Sequence, residues 1–200
     1  AQMKLRMLHG THSALACTGY LAGHETIAET VTDPLFDAYV RALWSEITPT
    51  VTPPAGVDLA DYAQALRDRY ANPNIRHRTW QIAMDGSQKL PQRILGTLED
   101  ILAAGHEAPM LCLAVAAWMR YVSGTDEKGA PIEVKDPLAE RLRQLSDAAR
   151  TPEELVTSLL AVREIFPAGL AAKLQDPVTE AASSLWRVGV RDTLCAGVTP

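Results

Sequence analysis

Apolar residues recur at helical spacing along most of the chain, while alternation with a period of two is scarce. The clearest stripe is Val178, Ala181, Ala182, Leu185, Trp186 and Val190, which marks one face of an amphipathic helix. "MLCLAVAAWMRY", residues 110–121, is apolar on nearly every side and reads as a helix buried in the core. The pattern predicts helices near 4–21, 34–47, 58–70, 75–84, 88–103, 109–122, 137–148, 152–165 and 177–195. Start signals repeat one chemistry. Asp33-Pro34, Asp136-Pro137 and Asp176-Pro177 each place a capping acceptor before a proline at the first helical position. Thr151-Pro152-Glu153-Glu154 adds a capping box.

Between these helices lie "TPTVTPPAG" at 48–56, a proline-rich connection, and "GTDEKGAPIEV" at 124–134, a loop or short hairpin around Lys128-Gly129. No repeat, heptad run or low-complexity tract interrupts the pattern. The expected fold class is all-α, in one domain.

Composition changes this picture little. Of 200 residues, 47% are hydrophobic and 22% charged, which is ordinary for a folded globular chain. The net charge of −5 does not favour nucleic acid or an anionic membrane, so any anion site must be local. The Met110–Met119 run is about half a membrane span. Cys17, Cys112 and Cys195 are odd in number and widely spaced. They suggest neither zinc nor a disulfide framework, and we expect reduced thiols in the cytoplasm, packed in the core. The chain contains no GxGxxG, GxxxxGK[ST] or GxSxG motif.

Two stretches concentrate chemistry. In "KLRMLHGTHS", at 4–13, an α-helical spacing puts Lys4 and His12 roughly 80° apart, with His9 roughly 60° beyond His12. All three then face one cleft, and Gly10, Thr11 and Ser13 leave the helix slim enough for something bulky to approach. Such a set permits proton transfer: a lysine near other cations acts as a base near neutral pH, and a neutral histidine orients a hydroxyl. The plainer reading is a helix start with a solvated lysine and two polar histidines. His9 and His12 have no third ligand at helical spacing, so no metal is expected.

The second stretch is "NPNIRHRTWQIAMDGSQKLPQR", at 72–93, with Arg76, His77, Arg78, Lys89 and Arg93 in an otherwise acidic chain. Asp85-Gly86-Ser87 reads as a turn, with Ser87 capping the helix that follows. Lys89 then lies in the first turn, where free backbone N–H groups favour an anion rather than a cation. Such a mild conflict is expected where function has chosen the residue. A basic surface balanced by Asp61, Asp68 and Asp85 is the plain alternative.

"KLRMLHGTHSALACTGYLAGHE", "NPNIRHRTWQIAMDGSQKLPQRIL" and "VAAWMRYVSGTDEKGAPIEVKDPL" together resemble the C-terminal domain of the polyol-specific long-chain dehydrogenases. This is the mannitol dehydrogenase family, and the likeness is greatest to its fructuronate reductase branch. The resemblance implies a multi-helical fold similar to the C-terminal domain of 6-phosphogluconate dehydrogenase. It also implies a metal-independent, NAD-dependent oxidoreductase acting on a sugar acid or polyol. NAD would be held by an N-terminal Rossmann domain, which we expect upstream of Ala1 and missing here, leaving this chain inactive alone. Lys4 matches the general acid/base, His12 a substrate-positioning histidine and Lys89 a basic position near the substrate; Arg93 shares its motif. His9 stands where the family has asparagine. Three readings follow: an oxidoreductase interconverting D-fructuronate and D-mannonate, a mannitol or other polyol 2-dehydrogenase, and a non-catalytic helical interaction domain.

Overall fold

The computed structural model describes residues 1–199. A π-helical segment, Lys4–His9, runs directly into α1 (Gly10–Leu21). Then come α2 (Ile27–Thr32), α3 (Pro34–Ile47), α4 (Leu59–Tyr70) and the single turn α5 (Thr79–Ile82). The next helix is α6 (Gly86–Leu90), joined through a second π-helical segment, Pro91–Leu95, to α7 (Gly96–Ala103). The chain ends with α8 (Pro109–Val122), α9 (Ala139–Ala148), α10 (Pro152–Leu160) and α11 (Ala168–Gly197). Among the described residues there is no sheet, only isolated bridges between Thr26 and Arg78 and between Thr125 and Pro131.

The all-apolar stretch becomes α8, the centre of the core. Leu111 to Met119 are all buried. Helix α1 packs across one side of α8 and α11 covers another, with α3 touching all three. Burying each large apolar side chain at these contacts contributes about 1.5–3 kcal/mol. The start of α8 is held by a half-buried carboxylate: Glu46 accepts from the N–H groups of Met110 (2.8 Å) and Leu111 (2.9 Å).

Several element boundaries differ from the sequence expectation, each for a local reason. Helix α2 is an addition. Thr26 accepts from the Glu29 N–H, and the Glu29 carboxylate reaches back to the Glu25 N–H. The same arrangement at Thr151 and Glu154 starts α10, with Glu154 accepting from the Arg150 N–H. Helix α10 stops at Leu160 rather than 165, because Arg163 donates to the Leu160 and Phe166 carbonyls and closes a turn. The expected helix at 75–84 shrinks to Thr79–Ile82. Residues 76–78 are instead drawn alongside the end of α1, where Ile27 N–H donates to the His77 carbonyl (2.9 Å) and Thr79 N–H to the Glu25 carbonyl (2.9 Å).

Ser87 is not a cap. Helix α6 begins at Gly86 after Asp85 in a left-handed conformation, and Ser87 N–H and Oγ both donate to Asp136. Asp136 also turns its own chain through Leu138 N–H, so α9 starts at Ala139 rather than 137. Pro177 lies inside α11, which starts at Ala168 and breaks at Gly189 (φ 86°, ψ 176°). The 124–134 loop is a minimal hairpin, closed by Asp126 N–H to the Ala130 carbonyl (2.8 Å). Cys17 and Cys112 are buried as expected, but Cys195 is exposed, because it lies on the outer side of the last helical turns.

Candidate functional site

The two chemistry-bearing stretches meet. Their π-helical segments pack against each other, and π-helical turns inside helices often mark functional positions. The crossing is close because residue 10 is glycine: a Cβ there would lie 2.7 Å from the Arg93 carbonyl oxygen. The slim face of α1 therefore serves the packing. Thr11 is buried and accepts from Trp44 Nε1 (3.0 Å), and Ser13 accepts from Arg93 (3.1 Å).

Arg93 sits among the candidates. Its charge helps hold His9, His12 and Lys89 below their ordinary pKa values, after burial itself in each case. Lys89 bends back across the turn and donates to the Ile82 carbonyl at the end of α5 (3.0 Å). That contact offsets the cost of a cation early in α6. Asp85 is the acidic group that acts on Lys89; none of Lys4, Arg69, Lys89 and Arg93 forms a salt bridge among the described residues. Of the expected balancing acids, Asp85 acts on Lys89 without forming a salt bridge and Asp68 pairs with Arg67 instead.

His12 is the most perturbed member. Burial, followed by the charges of His77, Arg93, His9 and Arg69, pushes its pKa down to about 3, so the ring stays neutral across the physiological range. It stacks on Tyr70 (centroids 5.3 Å, interplanar angle 22°) and meets His77 edge-on at 5.3 Å. Its Nε2 is buried with no hydrogen-bond partner in the protein. Tyr70 is itself fixed, donating to the Leu8 carbonyl of the first π segment (2.8 Å). These side chains surround an open cavity of about 150 Å³, lined by Leu8, His9, His12, Arg69, Tyr70 and His77 together with Ile27 and Ile75.

Lys4 is exposed and does not line this cavity, although its charge acts on His9. The 100° spacing does not carry over to it, because residues 4–9 are π-helical. Lys89 and Arg93 lie outside the cavity wall, and Lys89 borders a much smaller pocket with Ser13, Cys17 and Trp118. A larger groove of about 590 Å³ between the start of α8 and α11 contains none of the candidate residues. His77, Tyr70 and Arg69 were not among the sequence candidates for binding. His77 stood within the quoted cationic stretch, but its facing of His12 depends on the long-range bridge to residue 27. Tyr70 and Arg69 carried no signal beyond their place at the end of a helix. Among the described residues, no group of three or more histidines, cysteines or carboxylates is placed to hold a metal ion. Among the described residues, no helix is long and apolar enough to cross a membrane.

Fold and candidate site describe an all-helical domain in which histidines and an arginine line an open cavity, with two lysines and a second arginine outside its wall. Comparison with known proteins gives that class a family. Residues 1–186 match the mannitol dehydrogenase C-terminal domain. The chain is 46% identical to D-mannonate oxidoreductase of Escherichia coli over 97% of its length, and 33% identical to mannitol 2-dehydrogenase of Aspergillus fumigatus over 96%. It superposes on the Pseudomonas fluorescens mannitol 2-dehydrogenase ternary complex with NAD and D-mannitol with a TM-score of 0.90, at 36% identity over 98% of this chain. The chain belongs to the mannitol dehydrogenase family, as its C-terminal helical domain. It spans about 40% of the length of the E. coli relative and of the P. fluorescens structure.

Proposed function

We propose that this domain supplies the substrate-binding and proton-transfer groups of an NAD-dependent oxidoreductase that interconverts a keto-uronate and an aldonate, D-fructuronate and D-mannonate. The observation that carries the reading is the meeting of the two motifs. Together they give an exposed lysine, neutral histidines and cations without salt-bridge partners, next to one cavity.

NAD, when bound, supplies and accepts the hydride. The chain spans about 40% of its E. coli relative, and in our reading NAD is held by a separate Rossmann domain of the full-length protein, which this domain needs for turnover. The donor set fits hydride chemistry. As hydride reaches the carbonyl carbon, negative charge builds on oxygen and needs a nearby proton and polarising donors. Lys4, as the ammonium, gives its proton to that oxygen; in the reverse direction the free amine removes the hydroxyl proton. His9 and His12 stay neutral and donate hydrogen bonds without competing for the proton. Arg93 and Lys89 bind the substrate and keep the surroundings positive. His9, where the family has asparagine, offers one such donor in a larger ring.

A sugar acid is favoured because these cations lack acidic partners and the higher identity is to D-mannonate oxidoreductase. A neutral polyol remains the second reading, on the likeness to the structure solved with D-mannitol. The test is turnover by the full-length protein carrying this domain. We expect NADH-dependent reduction of D-fructuronate with kcat/KM at least about tenfold above that for D-fructose, the difference one charge-assisted contact supplies. Equal or reversed preference contradicts the sugar-acid assignment.

A further inference from the structure

The cavity beside His12 holds two residues that the proton-transfer chemistry does not use, Arg69 and His77. Its polar lining consists of His9, His12, His77, Arg69 and Tyr70, with no carboxylate among them. The Tyr70 hydroxyl is committed to the Leu8 carbonyl. Arg69 makes no salt bridge among the described residues, and His77 and Arg69 are exposed at the rim while His12 and Tyr70 form the floor. The floor contains a polar atom, His12 Nε2, that is buried with no hydrogen-bond partner among the described residues. The volume, about 150 Å³, is several times what one water needs.

Arg69 also has a structural role, since a cation in the last turn of α4 suits the helix dipole. That role does not explain why His77 is brought opposite. The backbone bridge of residues 77–79 to residues 25–27 holds it there, 5.3 Å from His12. Three nitrogen-bearing rings and a guanidinium around one hollow, without an acid, complement an oxygen anion. The planar fork of Arg69 suits a carboxylate in particular. Leu8, Ile27 and Ile75 give the same hollow an apolar wall for the adjoining carbon.

We infer that this cavity is the carboxylate subsite of the domain, with Arg69 and His77 as the residues that contact the substrate carboxylate. The inference rests on the sugar-acid reading and gives it a location. Lys4 lies at the outer end of the same helical run, roughly 10 Å or so along the axis from His12. A linear sugar acid therefore enters with its carboxylate in the cavity and its reacting carbon nearer Lys4 and His9. Size and charge of the anionic end are selected at a place separate from the proton transfer.

The test is calorimetric titration of the full-length protein, saturated with NADH so that no turnover occurs, with D-mannonate and with D-mannitol. We expect Arg69→Gln and His77→Asn each to weaken D-mannonate binding about tenfold or more, as loss of a charge-assisted hydrogen bond does. Arg69→Lys should restore part of the loss, and D-mannitol binding and the unfolding midpoint should be unchanged. Both replaced residues are exposed, and unchanged midpoints separate a binding loss from a folding loss. If Lys89→Gln rather than Arg69→Gln removes the preference for D-mannonate, the carboxylate lies on the α6 side and the inference is overturned. Absence of D-mannonate binding by the unaltered protein overturns it too. Turnover of D-fructuronate by the same preparation judges the proposed reaction separately: activity with unaltered D-mannonate affinity in the variants sinks the subsite and leaves the reaction standing.

Discussion

At the scale of single residues, the site depends on keeping one imidazole neutral. His12 is buried among cationic neighbours, which holds its pKa at about 3 against an ordinary 6.5. The unfolded chain therefore takes a proton that the folded protein refuses. Stability from this group is present above about pH 6.5 and is lost as pH falls towards about 3. His12→Asn should remove that share of the slope. In urea unfolding, the stability advantage of the unaltered protein over the variant should shrink between about pH 6.5 and about pH 4. A constant difference across that range would mean that the ring is not held neutral. The residues themselves were legible to different degrees. Lys4, His9 and His12 stood together in ten residues, so their nearness along the chain needed no fold, but Lys4 does not line the cavity that the two histidines share. His77 and Tyr70 reach His12 only through long-range contacts, which no spacing along the chain encodes. Arg69 has no local mark at all.

At the scale of elements, the crossing of the two π-helical segments brings the motifs together, and Gly10 permits it. A methyl group there would meet the Arg93 carbonyl at 2.7 Å, against backbone that cannot swing aside. Gly10→Ala should destabilise the domain by about 1–3 kcal/mol, read as a lower unfolding midpoint, despite alanine's better helix propensity. A rise in the midpoint would show that the crossing is looser than described. Helices with both a cap and a strong stripe, such as Pro34–Ile47, were readable to the residue. Helix α2 was readable in principle, since Thr26 and Glu29 form the same box recognised at Thr151 and Glu154, but its six residues offer too short a stripe. The π turns were not readable: nothing in the apolar pattern separates them from α-helix over so short a length. Pro177 misled because proline usually starts a helix, and here it lies well within one.

At the scale of the whole molecule, the domain is a helical core around α8. The described residues include no dinucleotide cradle, and the chain covers about 40% of its E. coli relative. The division of labour we propose follows: hydride chemistry in a separate domain, substrate recognition and proton transfer in this one. All-helical class and family motifs were both present in the sequence. The cavity was not, because it forms between the start of α1, the end of α4 and the segment before α5. The most direct measurement is single-turnover reduction of D-fructuronate by the full-length protein, comparing Lys4 with Lys4→Ala at saturating NADH. If Lys4 gives the proton, the rate should fall about 10²–10⁴-fold while D-mannonate affinity stays within about twofold. An unchanged rate in the alanine variant would contradict the account.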